Sequence, residues 1–313
     1  MTTTTLKILA VIFMTIDHIG EFLPDTPILL RWIGRIAYPV FAFCCVQGFL
    51  HTRNQKKYLF RLYVAGVLMA VVLCILNAFF SSGLHETQVK NNIFTTLFQF
   101  VLLMWVIENK SRKNIIRYVL YQILMLAAIW GMVWGIVILE EYIEVPWWIE
   151  NILIGLFHNL FYHEGSLFFS IVGLAFYIPY KIKKNGTLKQ YNMIGAVFYV
   201  AAVAIFVSIN YLDIYTRILF WLRRFFGADS FIFMIYENIM VILGVGDMEL
   251  NTFTSYTARD MFLQEYQWMM IFAVPLFLFY NGKRGKGSRY FFYIYYVTHI
   301  AVLFLIRYYY CYA

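Results

Sequence analysis

Apolar runs follow one another along almost the whole chain, separated by short segments that contain most of the charged residues. An α-helix rises about 1.5 Å per residue, so an apolar run of about 20 residues can cross a hydrocarbon core of about 30 Å. The runs delimit nine segments: Leu6–Leu23, Trp32–Leu50, Tyr58–Phe80, Ile93–Ile107, Ile115–Leu139, Leu167–Tyr180, Met193–Tyr211, Tyr266–Tyr280 and Tyr290–Tyr310. This pattern predicts an all-α protein, a polytopic bundle of transmembrane helices.

Two further regions leave the number of crossings open. Asn151–Phe161 is apolar but short, which is typical of a re-entrant or interfacial helix. Tyr211–Gly246 begins with "YTRILFWLRRFFG", which resembles an amphipathic interfacial helix, and continues with "SFIFMIYENIMVILGVG", which is long enough to cross. Because this region crosses the membrane either zero times or twice, we predict nine to eleven spans.

Composition supports a membrane location. The chain is 62% hydrophobic and 13% charged, whereas soluble domains contain about 25% charged residues. Because the apolar runs continue from one end of the sequence to the other, residues 1–313 are predicted to form a single integral membrane domain. The sequence leaves the oligomeric state open.

Basic and acidic residues alternate between successive loops. Four loops are basic: Arg53, Lys56, Lys57 and Arg61; Lys110, Arg112, Lys113 and Arg117; Lys181, Lys183, Lys184 and Lys189; Lys283, Arg284, Lys286 and Arg289. The positive-inside rule places these loops and the N-terminus in the cytoplasm. The net charge of +8 therefore reflects membrane topology, and no nucleic-acid partner is expected, since the basic residues are not gathered into one patch.

The first apolar run contains two adjacent polar residues, Asp17 and His18, in "VIFMTIDHIGEF". A charged carboxylate at bilayer depth costs about 2.5 to 3.5 kcal/mol, so it usually has a partner and a function. Arg35 lies about 5 Å inside the same boundary of the second span, at the level of Asp17 if the two helices are antiparallel. We expect Asp17 and Arg35 to pair.

Adjacent residues on a helix point about 100° apart, so His18 can face a cavity while Asp17 faces Arg35. That arrangement suits a catalytic base. The alternative is that Asp17 and Arg35 only tie two helices together while His18 donates to a carbonyl group. The residues alone leave both interpretations open.

Two other groups are candidates for function. His51, Arg53, Lys56 and Lys57 follow the second span and suit phosphate groups, although such loops also serve as topology anchors. His299 lies near the middle of the last span among tyrosines, where a structural histidine is as reasonable as a catalytic one. The four cysteines have no metal-ligand spacing, and no metal site is predicted.

Taken together, four motifs resemble the TraX family of membrane acetyltransferases, whose founding role is acetylation of the N-terminus of conjugative pilin. They are "LKILAVIFMTIDHIGEF", "LLRWIGRIAYPVFAFCCVQGFLHTRNQKKYLFRL", "NNIFTTLF" and "YFFYIYYVTHIAVLFLI". The closing motif of the family usually reads Tyr-Pro-x-His, and here Val297 replaces the proline.

The resemblance implies acetyl transfer from cytoplasmic acetyl-CoA to an acceptor outside the bacterial cytoplasmic membrane. The acceptor would be the N-terminal amine of a protein such as pilin, or a hydroxyl group of a surface polysaccharide. His51, Arg53, Lys56 and Lys57 would bind the donor phosphates, and His18 would act as general base or carry the acetyl group, with Asp17 orienting it. Arg35, a tyrosine hydroxyl or His299 would stabilise the oxyanion.

Two other functions remain open at this point. A proton-coupled transporter would use Asp17, His18 and Arg35 as a relay, although the sequence shows no internal repeat of the kind common in transporters. A non-catalytic assembly partner in a cell-surface complex would tolerate replacement of Asp17 and His18.

Overall fold

Every regular element in the described part of the chain is a helix. The computed structural model describes residues 1–80, 89–140, 155–161, 166–183, 185–211, 214–227, 232, 260–263, 266–287 and 290–312. The longer helices are α1 (Thr3–Phe22), α2 (Leu29–Gly34), α3 (Ala37–Leu50), α4 (Gln55–Phe80), α5 (Ile93–Glu108), α6 (Arg112–Glu140), α7 (Ser166–Ile182), α8 (Leu188–Tyr211) and α9 (Ile214–Phe226). They are followed by α10 (Asp260–Leu263), a 3-10 helix (Tyr266–Ala273), α11 (Val274–Leu278) and α12 (Phe291–Tyr312).

The predicted all-α membrane fold is confirmed, and each of the predicted spans lies on helical structure. Within the described ranges, five helical segments are long and apolar enough to cross a membrane: Leu29–Leu50, which comprises α2 and α3, Gln55–Phe80, Arg112–Ile136, Leu188–Ile209 and Phe291–Tyr310. Three shorter helices are also apolar: Ile93–Glu108, Leu167–Ile182 and Tyr266–Leu278. The total of nine to eleven spans and the cytoplasmic N-terminus stay predictions.

Helix α4 has one face toward the interior of the bundle and an opposite apolar face on its outer surface. One face, which includes Leu59, Leu62 and Met69, is buried. The opposite face leaves Phe60 65% exposed and Phe79 74% exposed. Apolar surface in water costs roughly 25 cal/mol per Å², so a continuous apolar face of this kind indicates contact with lipid.

Two clusters of buried side chains form the interior. The larger cluster includes Phe43 on α3, Phe176 on α7 and Tyr199 on α8. The second cluster joins α1, α4 and α12 and includes Met14 and Ile300. Helix α1 packs against α2, α3 and α12 and therefore lies beside both clusters.

The short apolar segment predicted as re-entrant is partly described, because residues 151–154 lie outside the described ranges. Its His158 carbonyl oxygen accepts hydrogen bonds from Gln99 Nε2 at 2.6 Å and from the Tyr121 hydroxyl at 2.8 Å. Asn159 donates to the Gln122 carbonyl at 3.0 Å. The described end of this segment is therefore held inside the bundle by polar side chains of α5 and α6.

The amphipathic helix predicted at the start of Tyr211–Gly246 is present as α9. Most of its described side chains, including Trp221, Arg223 and Phe225, are exposed. The second predicted element of this region, which contains Glu237 and Asn238, lies outside the described residues.

Candidate active site

Helix α1 directs His18 into the bundle. Five of its buried residues follow one another at intervals of four, a spacing that forms one stripe on a helix: Leu6, Ala10, Met14, His18 and Phe22. Thr2 caps the helix by accepting from the amide of Thr5 at 3.2 Å. His18 is 5% exposed, so its ring lies among protein groups rather than lipid.

The predicted span Trp32–Leu50 is interrupted at Arg35 and Ile36, between α2 and α3. Pro39 accounts for the position of the break. Proline has no amide hydrogen to donate to the carbonyl four residues earlier, and its ring crowds that carbonyl, which here belongs to Arg35. Arg35 therefore lies at the junction of two helices, where its side chain reaches α1.

Asp17 and Arg35 form the ion pair that we expected from the sequence. Nη2 of Arg35 is 2.8 Å from Oδ1 and 2.7 Å from Oδ2 of Asp17. Arg31 lies 2.9 Å from Asp17 Oδ1 and 2.7 Å from Glu21 Oε2. Asn91 donates to the other oxygen of Glu21 at 3.1 Å. Two carboxylates thus face two guanidinium groups, and their charges cancel, which reduces the cost of placing them at this depth.

Gly34 allows α2 to approach α1 this closely. A β-carbon at position 34 would lie 2.1 Å from the β-carbon of Asp17 and 2.4 Å from its Oδ1. No side chain larger than hydrogen fits without displacing the carboxylate. The glycine is therefore part of the geometry that brings Asp17 to the two arginines.

His18 contacts His299 across the interface between α1 and α12. Nδ1 of His18 is 2.7 Å from Nε2 of His299. Nδ1 of His299 is in turn 2.9 Å from the carbonyl oxygen of Tyr295. The structure thus brings together all four residues predicted as catalytic, in two neighbouring pairs: Asp17 with Arg35 and His18 with His299.

A cavity of about 150 Å³ lies beside these pairs. A site needs roughly 10 to 15 Å³ of such volume to hold one water molecule, so this one has room for a small polar group and several waters. Its lining includes Asp17, His18, Glu21, Arg31 and Arg35. We call it the polar cavity.

A second cavity of about 80 Å³ adjoins the polar cavity along the bundle axis. The two share three lining residues: Phe41, Ile93 and Tyr296. The second cavity extends to residues near the first turns of three helices, including Lys7 and Tyr58. Because its lining is mainly apolar, we call it the apolar cavity.

The predicted donor-binding residues lie away from the polar cavity. His51, Arg53, Lys56 and Lys57 are exposed at the end of α3 and the start of α4. His51 follows Arg35 by 16 residues, a distance of about 24 Å at a helical rise of about 1.5 Å per residue. Tyr58, the residue after Lys57, lines the apolar cavity, so this basic cluster is adjacent in sequence to that cavity.

Several residues of the site were not named as candidates from the sequence. Glu21 and Arg31 could have been found, because Glu21 is four residues after Asp17 and Arg31 is four residues before Arg35, on the same helix faces. Asn91, the first residue of the motif "NNIFTTLF", also lines the polar cavity, as does Gln267, which no local pattern marks.

The side chains of Asp17, His18 and Glu21 place ligand-type atoms within 4.8 Å of one another. Such a triad can suit a divalent metal ion. Here, however, both carboxylates already pair with Arg31 or Arg35, and a cation would have to compete with two guanidinium groups. The geometry therefore favours the ion-pair network, and the absence of a metal stays a prediction.

The chain matches a known protein family over most of its length. Residues 2–245 match the family described as "TraX protein", which is more than three quarters of the chain. The chain belongs to the TraX family. No solved structure matches this TraX-family chain.

Two relatives share a short segment with this TraX-family protein. The "Probable fimbrial assembly protein FimC, serogroup H1" of Dichelobacter nodosus is 43% identical over 67 residues, which is 20% of this chain and 28% of the relative. The "Uncharacterized protein RP591" of Rickettsia prowazekii (strain Madrid E) is 44% identical over 71 residues, 23% of this chain and 27% of the relative. The matched segments thus span little more than a quarter of each relative.

Proposed function

We propose that this TraX-family protein is a membrane acetyltransferase that moves an acetyl group from acetyl-CoA to an amine or hydroxyl group on the other side of a bacterial cytoplasmic membrane. The observation that carries the proposal is the position of His18, which lines the polar cavity while its Nδ1 contacts His299. A buried base in a site with balanced charges suits proton transfer from an attacking nucleophile.

The two adjoining cavities support a route for the acetyl group. The apolar cavity extends from the region of Lys7 and Tyr58 toward the polar cavity. Lys7, Arg53 and Lys57 would bind the phosphates of CoA at the predicted cytoplasmic face. The flexible thioester arm would then extend through the apolar cavity, so that the acetyl carbonyl meets the acceptor beside His18.

The chemistry requires a base and an oxyanion partner. His18 would take the proton from the acceptor as its nitrogen or oxygen attacks the acetyl carbonyl carbon. Arg35 or the hydroxyl group of Tyr296, which lines the polar cavity, would stabilise the oxyanion. A two-step route, in which His18 itself carries the acetyl group, uses the same residues.

The acceptor would enter the polar cavity from the side opposite the donor. Oε1 of Gln267 is buried at this cavity and has no hydrogen-bond partner among the described residues. It would accept a hydrogen bond from the incoming amine or hydroxyl group. Family membership and the relative named as a fimbrial assembly protein favour a pilin N-terminus as acceptor, with a surface polysaccharide as the alternative.

Transfer of radiolabel from acetyl-labelled CoA tests this proposal. Wild-type protein in membrane vesicles should label a surface fraction, and His18→Ala should abolish the labelling while the protein stays folded in the membrane. Ile12→Ala is a matched control, because Ile12 is an exposed residue on the same helix, 47% accessible. It should retain the wild-type rate.

Each outcome has a defined meaning. Label that depends on His18 supports an acetyltransferase, and the labelled fraction begins to identify the acceptor. Equal labelling by wild type and His18→Ala would remove His18 from the mechanism. No labelling and no CoA binding by the wild type would overturn acetyl-CoA as donor, and proton-coupled transport would then be tested.

A further inference from the structure

His18 and His299 contact each other edge to edge. The ring centres are 4.9 Å apart and the ring planes differ by 22°, while the facing nitrogens are 2.7 Å apart. The centre distance exceeds the nitrogen distance by about two ring radii, so the nitrogens lie close to the line that joins the centres. Because the N–H bonds and lone pairs of imidazole lie in the ring plane, the contact is a hydrogen bond rather than a face-to-face stack.

The second contact of His299 decides which nitrogen donates. Nδ1 of His299 faces the carbonyl oxygen of Tyr295 at 2.9 Å. A carbonyl oxygen can only accept, so this Nδ1 carries the hydrogen. Nε2 of a neutral His299 is then an acceptor. Nδ1 of His18 must therefore donate to it, which leaves Nε2 of His18 without a hydrogen.

The surrounding charges favour two neutral rings. A doubly protonated His299 would reverse the direction of the hydrogen bond, because its Nε2 would become a donor. Asp17 and Glu21 are already balanced by Arg31 and Arg35, so the site offers no surplus negative charge to an imidazolium. A further positive charge at this depth would be unfavourable.

A second polar contact between α1 and α12 keeps the rings of His18 and His299 at the same level along the two helices. Thr15 donates to the Val11 carbonyl at 2.8 Å, and so the Tyr295 hydroxyl, also at 2.8 Å, donates to the Thr15 oxygen. Thr15 and Tyr295 each lie about one turn before the histidine of their own helix. Helices α1 and α12 are therefore joined by two polar contacts one turn apart, which restricts sliding of His299 past His18.

We propose that His299 is a positioning residue that holds His18 in its Nδ1–H tautomer, so that the lone pair on His18 Nε2 receives the proton of the acceptor. This role in catalysis rests on the proposed function, whereas the tautomer itself does not. As the nucleophile bonds to the acetyl carbon, its proton moves to Nε2 of His18. When the carbon–sulfur bond breaks, that proton passes to the departing CoA sulfur. His299 exchanges no proton in either step.

Nitrogen-15 NMR of histidine-labelled protein in lipid measures the tautomer directly. The chain contains six histidines, and the His18 signals can be assigned as those lost in His18→Asn. At neutral pH, we expect a protonated Nδ1 and an unprotonated Nε2. A wild-type His18 that is protonated at Nε2 would overturn the inference, whether or not acetyl transfer is observed. The expected tautomer in a protein without transfer activity would instead overturn only the proposed function.

Activity measurements distinguish a positioning residue from an acid–base residue. In His299→Gln, the amide oxygen can still accept from His18, so transfer should stay within about tenfold of wild type with an unchanged pH profile. In His299→Phe, the ring shape is kept but the acceptor is lost, and the rate should fall by roughly 10²- to 10⁴-fold. Equal losses in the two variants, or a changed pH profile in His299→Gln, would show that His299 itself exchanges a proton.

Val302→Ala is the control for these two variants. Val302 lies on the same helix as His299, is 53% exposed and has no polar side-chain group. Its replacement should leave both the His18 tautomer and the transfer rate unchanged. A loss of activity in this control equal to that of His299→Phe would contradict a specific role for the histidine pair.

Discussion

Arg35 contacts both carboxylate oxygens of Asp17 through a single nitrogen, Nη2, at 2.8 and 2.7 Å. The contact joins α1 to the break between α2 and α3, and both side chains are only 14% exposed. Each charge is therefore acceptable at this depth mainly because the other is present. The stability of the site and the position of His18, the next residue, depend on the same pair.

Asp17→Asn should destabilise the protein markedly. The substitution leaves two arginines facing one carboxylate, and removal of one partner from a buried ion pair costs about 3 to 5 kcal/mol. Equilibrium unfolding in mixed micelles measures the change.

Glu108→Gln is the control for Asp17→Asn, because Glu108 pairs with Lys181 where both side chains are more than a third exposed. Loss of this exposed pair should cost about 1 kcal/mol or less. Equal destabilisation by the two substitutions would contradict the assignment of Asp17 to a buried network.

Gly34→Ala should disrupt the site although it adds only one methyl group. That group would lie 2.1 Å from the Asp17 β-carbon, so α1 and α2 must separate. Overpacking of this kind costs about 1 to 3 kcal/mol, and the displaced Asp17 should also reduce transfer activity. Unfolding and acetyl transfer are both measured.

Gly131→Ala provides the comparison for Gly34→Ala, since a β-carbon at position 131 of α6 meets nothing within 4 Å. It should be neutral or stabilising by up to about 1 kcal/mol through helix propensity. If Gly34→Ala changed the stability no more than Gly131→Ala, the conclusion that α2 approaches α1 closely at Gly34 would be wrong.

Neutralising the basic residues near the apolar cavity should weaken donor binding. Lys7→Gln and Arg53→Ala each remove a cation that would meet the phosphates of CoA, and each should raise the donor KM by about tenfold. Turnover of bound donor should change less. Initial rates over a range of acetyl-CoA concentrations separate the two effects.

Lys110→Gln, in the loop between α5 and α6, and Lys113→Gln, in the first turn of α6, remove the same charge from another basic segment. They should leave the donor KM unchanged. A comparable increase in the donor KM of these variants would show that donor binding depends only on the total positive charge. The His51–Lys57 cluster would then be a topology anchor rather than a donor-binding site.

Phe41→Ala should widen the range of acyl donors. Phe41 is one of three residues shared by the two cavities, so removal of its ring should join them and admit a longer acyl chain. We expect the kcat/KM ratio of butyryl-CoA to acetyl-CoA to rise by about tenfold. Because both donors are compared on the same variant, a change in the amount of folded protein does not affect the ratio.

Phe60→Ala, on the exposed face of α4, should leave that ratio at the wild-type value. An unchanged ratio in Phe41→Ala would show that this side chain does not separate the acyl group from the acceptor.

Much of the fold could be predicted because it follows from local physics. Apolar runs must form helices in lipid, where every backbone polar group needs an internal partner. The same reasoning predicted the pairing of Asp17 with Arg35, since both depths were measured from one membrane boundary. The break at Arg35 was missed, although Pro39 four residues later was its signal.

The sequence by itself determined the helical segments, the buried charges that required partners, and membership of the TraX family. Only the tertiary structure decided that His299 lies against His18, that Gln267 faces the same cavity, and that two cavities adjoin at Phe41. The reason is physical. An apolar helix face in a bilayer meets apolar surface whether it contacts lipid or another helix, so hydrophobicity does not determine which helices pack together. Close packing at small residues such as Gly34 and a few polar contacts make that choice, and those contacts join residues as far apart as His18 and His299.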